Sequence, residues 1–86
     1  MKRYTVTWVP SAENKLAELW LKSTDQRAVR EAADFIDIVL AAHPHSLGME
    51  ISAGLRAATV GCLEILYRVD TFDRMVRVLA VRHGVT

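Results

Sequence analysis

Hydrophobic and polar positions alternate at the start of the chain: Tyr4, Val6 and Trp8 fall on one side, Thr5 and Thr7 on the other. Such alternation of aromatic and β-branched residues predicts a strand over 3–9 with one face buried. Pro10 stops it, and Ser11 is the expected helix N-cap, its hydroxyl placed to accept from an orphan backbone N–H. The period then becomes helical. Ala12, Leu16, Leu19 and Trp20 recur on one face, with Glu13, Lys15, Glu18 and Lys22 elsewhere. Ser23-Thr24-Asp25 breaks the pattern and offers a second cap. Val29, Ala32, Ala33, Ile36 and Leu40 form the next apolar stripe, which ends near His43-Pro44 because the residue before proline is biased away from helix. Two successive helices with a short break predict an αα-hairpin.

The second half returns to period two. Leu55 to Val60 reads as a strand, and Gly61-Cys62 as a tight turn with Gly suited to the positive φ of a type II′ hairpin. Leu63, Ile65, Tyr67 and Val69 alternate with Glu64, Leu66, Arg68 and Asp70, a second strand. Thr71-Phe72-Asp73 turns into a third, Arg74 to Arg82, rich in Val and Leu. The expected order is β-α-α-β-β-β. This is an α+β fold, a small, mostly antiparallel sheet with the αα-hairpin packed on one face, in a single domain over 1–86. The opposite sheet face is left open, or is covered from outside the chain.

Composition narrows the choices. Of 86 residues, 51% are apolar and 24% charged, which fits a folded domain and excludes a disordered one. Eleven Lys and Arg against ten Asp and Glu give a formal charge of +1, excluding a chain-wide polybasic or acidic segment. Cys62 is the single cysteine, so an internal disulfide and a four-cysteine metal site are both excluded. No signal-peptide pattern opens the chain and no apolar run approaches a membrane span, so the expected location is the cytoplasm.

Candidate chemistry is sparse. Basic residues gather in the closing sheet as Arg56, Arg68, Arg74, Arg77 and Arg82, followed by His83. Their planar guanidiniums suit phosphates, while the plainer reading is an ordinary surface with Asp70 and Asp73 as partners. Regular alternation puts Arg82 with Val76, Val78 and Ala80, and His83 with Arg77, Leu79 and Val81, on opposite faces. His43-Pro44-His45 lacks a suitably spaced third ligand and reads as a polar connection, not a metal site. Asp34 and Asp37 could share a helix face for acid/base work, but lie off the apolar stripe as a solvated face would. No Gly-rich phosphate loop or other cofactor motif is present. Leu21, Phe35 and Ile38 also lie off their stripes. Either they pack between the helices, or they floor a groove for a partner helix or strand.

Order and residues together resemble the RelE/ParE superfamily of bacterial type II toxins over nearly the whole chain. The resemblance is carried by Tyr4-Thr5-Val6-Thr7-Trp8-Val9-Pro10-Ser11-Ala12, by the helix end Ala41-Ala42-His43-Pro44-His45-Ser46-Leu47-Gly48, and by Gly54-Leu55-Arg56. Val60-Gly61, Ile65-Leu66-Tyr67-Arg68-Val69-Asp70 and Val76-Arg77-Val78-Leu79-Ala80-Val81-Arg82-His83 complete it. The resemblance implies a growth-inhibiting toxin, of the kind found in plasmid-stabilisation modules, neutralised by a co-encoded antitoxin that wraps extended and helical segments over it. RelE-like members cut mRNA in the ribosomal A site without a metal; ParE-like members poison DNA gyrase.

RelE-like members commonly carry an arginine just before and just after the strand turn, where this chain has Thr59 and Glu64. A carboxylate at Glu64 repels phosphate. The family's basic tail is also absent, since only Gly84, Val85 and Thr86 follow His83. The remaining candidates for a ribonuclease site are Arg56, Arg82 and His83, and the candidates for antitoxin binding are Leu21, Phe35 and Ile38. The sequence therefore favours a toxin that binds a protein target such as gyrase. The alternatives are a ribosome-dependent mRNA endoribonuclease and a divergent binding module without toxicity.

Overall fold

The protein was analysed as a computed structural model that describes residues 3–84, so the ends of the expected 1–86 domain, with the Val85-Thr86 tail, lie outside it. The elements are β1 (Thr5–Trp8), α1 (Pro10–Lys22), α2 (Gln26–Ala42), β2 (Met49–Ser52), β3 (Leu55–Val60), β4 (Leu63–Asp70) and β5 (Met75–His83). They build one five-stranded sheet in the order β1-β5-β4-β3-β2. The neighbours β2/β3, β3/β4 and β4/β5 are antiparallel; β1 runs parallel to β5, with Thr5 opposite Met75 and Trp8 opposite Val78. The α+β class, the hairpin on one face and the mostly antiparallel sheet are as the alternation predicts. No helix among the described residues is long and apolar enough to cross a membrane.

The core lies between the helix pair and one sheet face. Ile36 and Leu40 of α2 meet Leu63, Tyr67, Val76 and Val78 of the sheet, all fully buried. Removing one large apolar side chain of this kind from water is worth about 1.5–3 kcal/mol, so this layer dominates the fold's stability. Gly61 makes the β3–β4 turn at φ 56 and lies directly under Ala32, where even a Cβ would crowd the helix. The turn thus fixes how closely α2 approaches the sheet.

Three local expectations need correction. The first helix starts at Pro10, with Val9 as its N-cap and no side-chain cap; Ser11 is already inside it. The Val9 carbonyl accepts from the N–H groups of Ala12 and Glu13, and proline at the first helical position gives up no bond. The second cap is as expected, with the Asp25 carboxylate accepting from Ala28 N–H at 3.0 Å.

The second correction is an extra strand. β2 pairs with β3 at the sheet edge, and all four of its residues are exposed, so it carries no burial alternation to betray it.

The third correction is a bulge. Tyr67 faces Val78 and Leu66 faces Ala80, which leaves Leu79 unopposed. One extra residue reverses the side-chain phase beyond it. Val76, Val78 and Val81 therefore all face the helices, whereas Arg77, Ala80 and Arg82 stay exposed. Arg82 and His83 do point to opposite sides, but each to the side opposite the one that regular alternation assigns.

Candidate functional site

Two surfaces could do chemistry or binding: the uncovered sheet face and the cleft between the helices. Arg56, on the helix-facing side of β3, belongs to neither. Its Nε donates to the Leu47 carbonyl at 3.2 Å and to the Tyr67 hydroxyl at 3.3 Å, and its Nη2 reaches the carbonyls of Leu47 and Gly48 at 3.2 and 3.3 Å. The Tyr67 hydroxyl lies 2.7 Å from the Leu47 carbonyl and 2.9 Å from that of Pro44. Its single proton serves one carbonyl at a time. Burial pushes the pKa of this phenol above the ordinary value, and the neighbouring Arg56 pulls it partly back. The pair is a clasp that binds the connection between α2 and β2 to the sheet.

Arg82 sits on the open face beside Glu64, its register partner on β4. Its Nη2 is 2.7 Å and its Nε 2.8 Å from Glu64 Oε1. The carboxylate thus neutralises the guanidinium where a phosphate would otherwise be met. His83 is opposite Leu63, on the helix side, near Leu19, Lys22 and Thr24 at the end of α1, with Nδ1 3.0 Å from the Gly84 carbonyl. The three ribonuclease candidates are therefore not brought together: Arg56 and Arg82 project from opposite faces, and His83 shares neither one's surroundings. His45 is hydrogen-bonded to Tyr4 at 3.3 Å and Thr71 at 3.2 Å, tying its loop to the β4–β5 turn.

Leu21, Phe35 and Ile38 are 69, 53 and 62% exposed, so they do not pack between the helices. The interhelical cleft, of about 470 Å³, is lined instead by Trp8, Leu16, Ala17, Trp20, Val29 and Ala33, with Glu13, Arg30, Asp34 and Asp37 around them. Asp37 accepts from the Trp8 indole N–H at 2.8 Å, so one of the two paired carboxylates anchors the cleft's floor. Leu21 follows Ala17 by four residues and Ile38 follows Asp34 by four, which extends each wall outward along its helix. Trp8 and Trp20 read as core residues in the sequence. Their size was the available signal, because two large aromatics on a small domain seldom bury completely.

Comparison with known proteins fits this arrangement. No family model matches the sequence, and no curated protein matches it. Among solved structures, the toxin–antitoxin complex RelBE2 of Mycobacterium tuberculosis is similar over 98% of this chain and 94% of that one, at 28% identity and a TM-score of 0.80. This likeness supports the RelE/ParE superfamily. Two further structures share the fold: the chromosomal ParDE system of P. aeruginosa, covering 95% of this chain and 97% of that one at 15% identity and TM-score 0.67, and the archaeal RelE–RelB complex of Pyrococcus horikoshii, covering 93% of each at 19% and 0.60. RelE and ParE structures both share the fold seen here, so the fold leaves the mode of action to the chemistry of the site.

Proposed function

We propose that the protein is the toxin of a type II toxin–antitoxin module, restrained by an antitoxin docked on the helix pair, and that it inhibits growth by binding a protein target. The observation that carries the second half is the separation of Arg56, Arg82 and His83. RNA cleavage needs groups at one phosphate that activate the 2′-hydroxyl, stabilise charge and protonate the leaving oxygen. Here Arg56 is spent on backbone carbonyls, Arg82 is paired with a carboxylate, and His83 lies across the sheet from Arg82, beside the end of α1. DNA gyrase, the target of ParE-like relatives, is the first protein to test.

Antitoxin docking is supported by the cleft and by Leu21, Phe35 and Ile38. An amphipathic helix recognises such a groove through apolar anchors one turn apart, and each anchor residue it buries contributes about 1.5–3 kcal/mol. The test is induced expression with and without the small protein encoded beside it. Arrest alone, and growth restored by co-expression, are expected. Leu21→Asp with Ile38→Asp is expected to abolish the rescue while leaving the fold and the arrest intact. Normal growth on expression of the chain alone would favour the non-toxic module.

A further inference from the structure

The turn between β4 and β5 carries the most exposed large apolar side chain among the described residues. Phe72 stands at its apex, 96% exposed, and adds nothing to the core. The turn beneath it is held from both sides. Asp70 Oδ1 accepts from the Asp73 N–H at 3.0 Å, and the Arg74 carbonyl accepts from the Thr5 N–H of β1 at 2.9 Å. The Thr71 hydroxyl lies 3.2 Å from His45 Nε2, which lies 3.3 Å from the Tyr4 hydroxyl, so the loop after α2 braces the turn as well. Arg74 is in the left-handed region at φ 54, the one non-glycine there among the described residues. Glycine or asparagine takes that conformation at lower cost. Local stability therefore asks for a polar residue at 72 and glycine at 74, and the turn has neither. Such conflicts gather at functional sites.

We infer that Phe72 is the anchor by which the protein grips its target, inserting into an apolar pocket of another protein. The inference rests on the reading of the chain as a toxin that binds a protein target, and names the side chain that makes the contact. Aromatic residues are enriched at the centres of protein interfaces. An anchor already fixed on a braced turn loses little freedom on docking. The charges around it decide between partner classes. An exposed ring can stack on a nucleic-acid base, but Asp70 and Asp73 outnumber Arg74 on the turn and repel phosphate. The same excess of carboxylates disfavours an anionic membrane surface. The turn is also distinct from the proposed antitoxin surface. It stands where β1 begins, none of its residues lines the helix cleft, and Leu21, Phe35 and Ile38 are on the helices.

Growth arrest by the full chain, induced without its partner at matched levels, tests this in wild type, Phe72→Ser and Phe72→Leu. Phe72→Ser is expected to need about tenfold or more protein for the same arrest, the loss of an interface anchor, while Phe72→Leu keeps most of the effect. Two readouts should not move in Phe72→Ser: the melting temperature, because the ring is exposed, and co-purification with the small protein encoded beside the chain. Arrest by Phe72→Ser at the wild-type level would overturn the inference. So would a lowered melting temperature or lost co-purification, which would make the turn a structural element or an antitoxin contact. Cleaved mRNA in wild-type cells that is absent with Phe72→Ser would overturn it too, assigning the ring to RNA. Wild type that causes no arrest refutes the toxin reading, and the inference with it; unchanged arrest by Phe72→Ser refutes the inference alone.

Discussion

Arg82 and Glu64 face each other across β5 and β4, with Nη2 2.7 Å from Oε1. The guanidinium is three-quarters exposed, so the pair contributes only about 0.2–1 kcal/mol to stability, and salt screens it. A double-mutant cycle with Glu64→Gln and Arg82→Gln, read by urea denaturation, is expected to give a coupling in that range. The larger effect is on charge. Glu64→Gln frees the arginine, so affinity for single-stranded RNA should rise and its salt dependence steepen by about one phosphate contact, measured by filter binding.

Tyr67 is the least replaceable side chain in the connection between α2 and β2. Tyr67→Phe keeps the ring's packing but removes the acceptor for Arg56 and the donor to the Pro44 and Leu47 carbonyls. A loss of about 1–3 kcal/mol is expected in chemical denaturation, the cost of leaving buried polar groups short of partners. Loss below a few tenths would show that water replaces the hydroxyl freely.

The same residue sets an alkaline limit. Burial raises the phenol's folded-state pKa above its ordinary value of 10.0, so the unfolded chain releases this proton first. The stabilisation from keeping the proton is complete below that ordinary value and is lost as pH rises through the folded pKa. Stability should therefore fall above about pH 10 more steeply in wild type than in Tyr67→Phe, whose curve lacks this contribution.

Gly48 is fixed by space as well as conformation. Its φ is 67, and a Cβ there would run into the Ala57 carbonyl of β3. Gly48→Ala is expected to cost at least about 1–3 kcal/mol, with the β2 edge loosened first, as hydrogen exchange at Met49–Ser52 would show. Unchanged exchange would mean that the turn relaxes around the methyl group.

What could be read from the sequence follows from which residues are buried. β4 was legible because Leu63, Ile65, Tyr67 and Val69 all face the core while their neighbours face outward. The helix pair was legible for the same reason, from Val29, Ala32, Ile36 and Leu40. β2 was hidden because an exposed edge strand bears no such imprint. The bulge at Leu79 was hidden because a run of Val, Leu and Ala fits either phase. It decides which way Arg82 points, so the candidate site could be named by residue but not assembled. Arg56 stood out as a charge in a leucine–arginine step, whereas its hydrogen bonds depend on a loop eight and nine positions upstream.

The proposal that this fold acts by binding and not by cutting is tested most directly on ribosomes programmed with a defined mRNA. Purified wild-type chain is added, and new RNA ends are mapped by primer extension. The message is expected to stay intact at chain concentrations that arrest growth in cells. New ends in the A-site codon that disappear with Arg82→Ala and His83→Ala would contradict it, and would make the protein a ribonuclease.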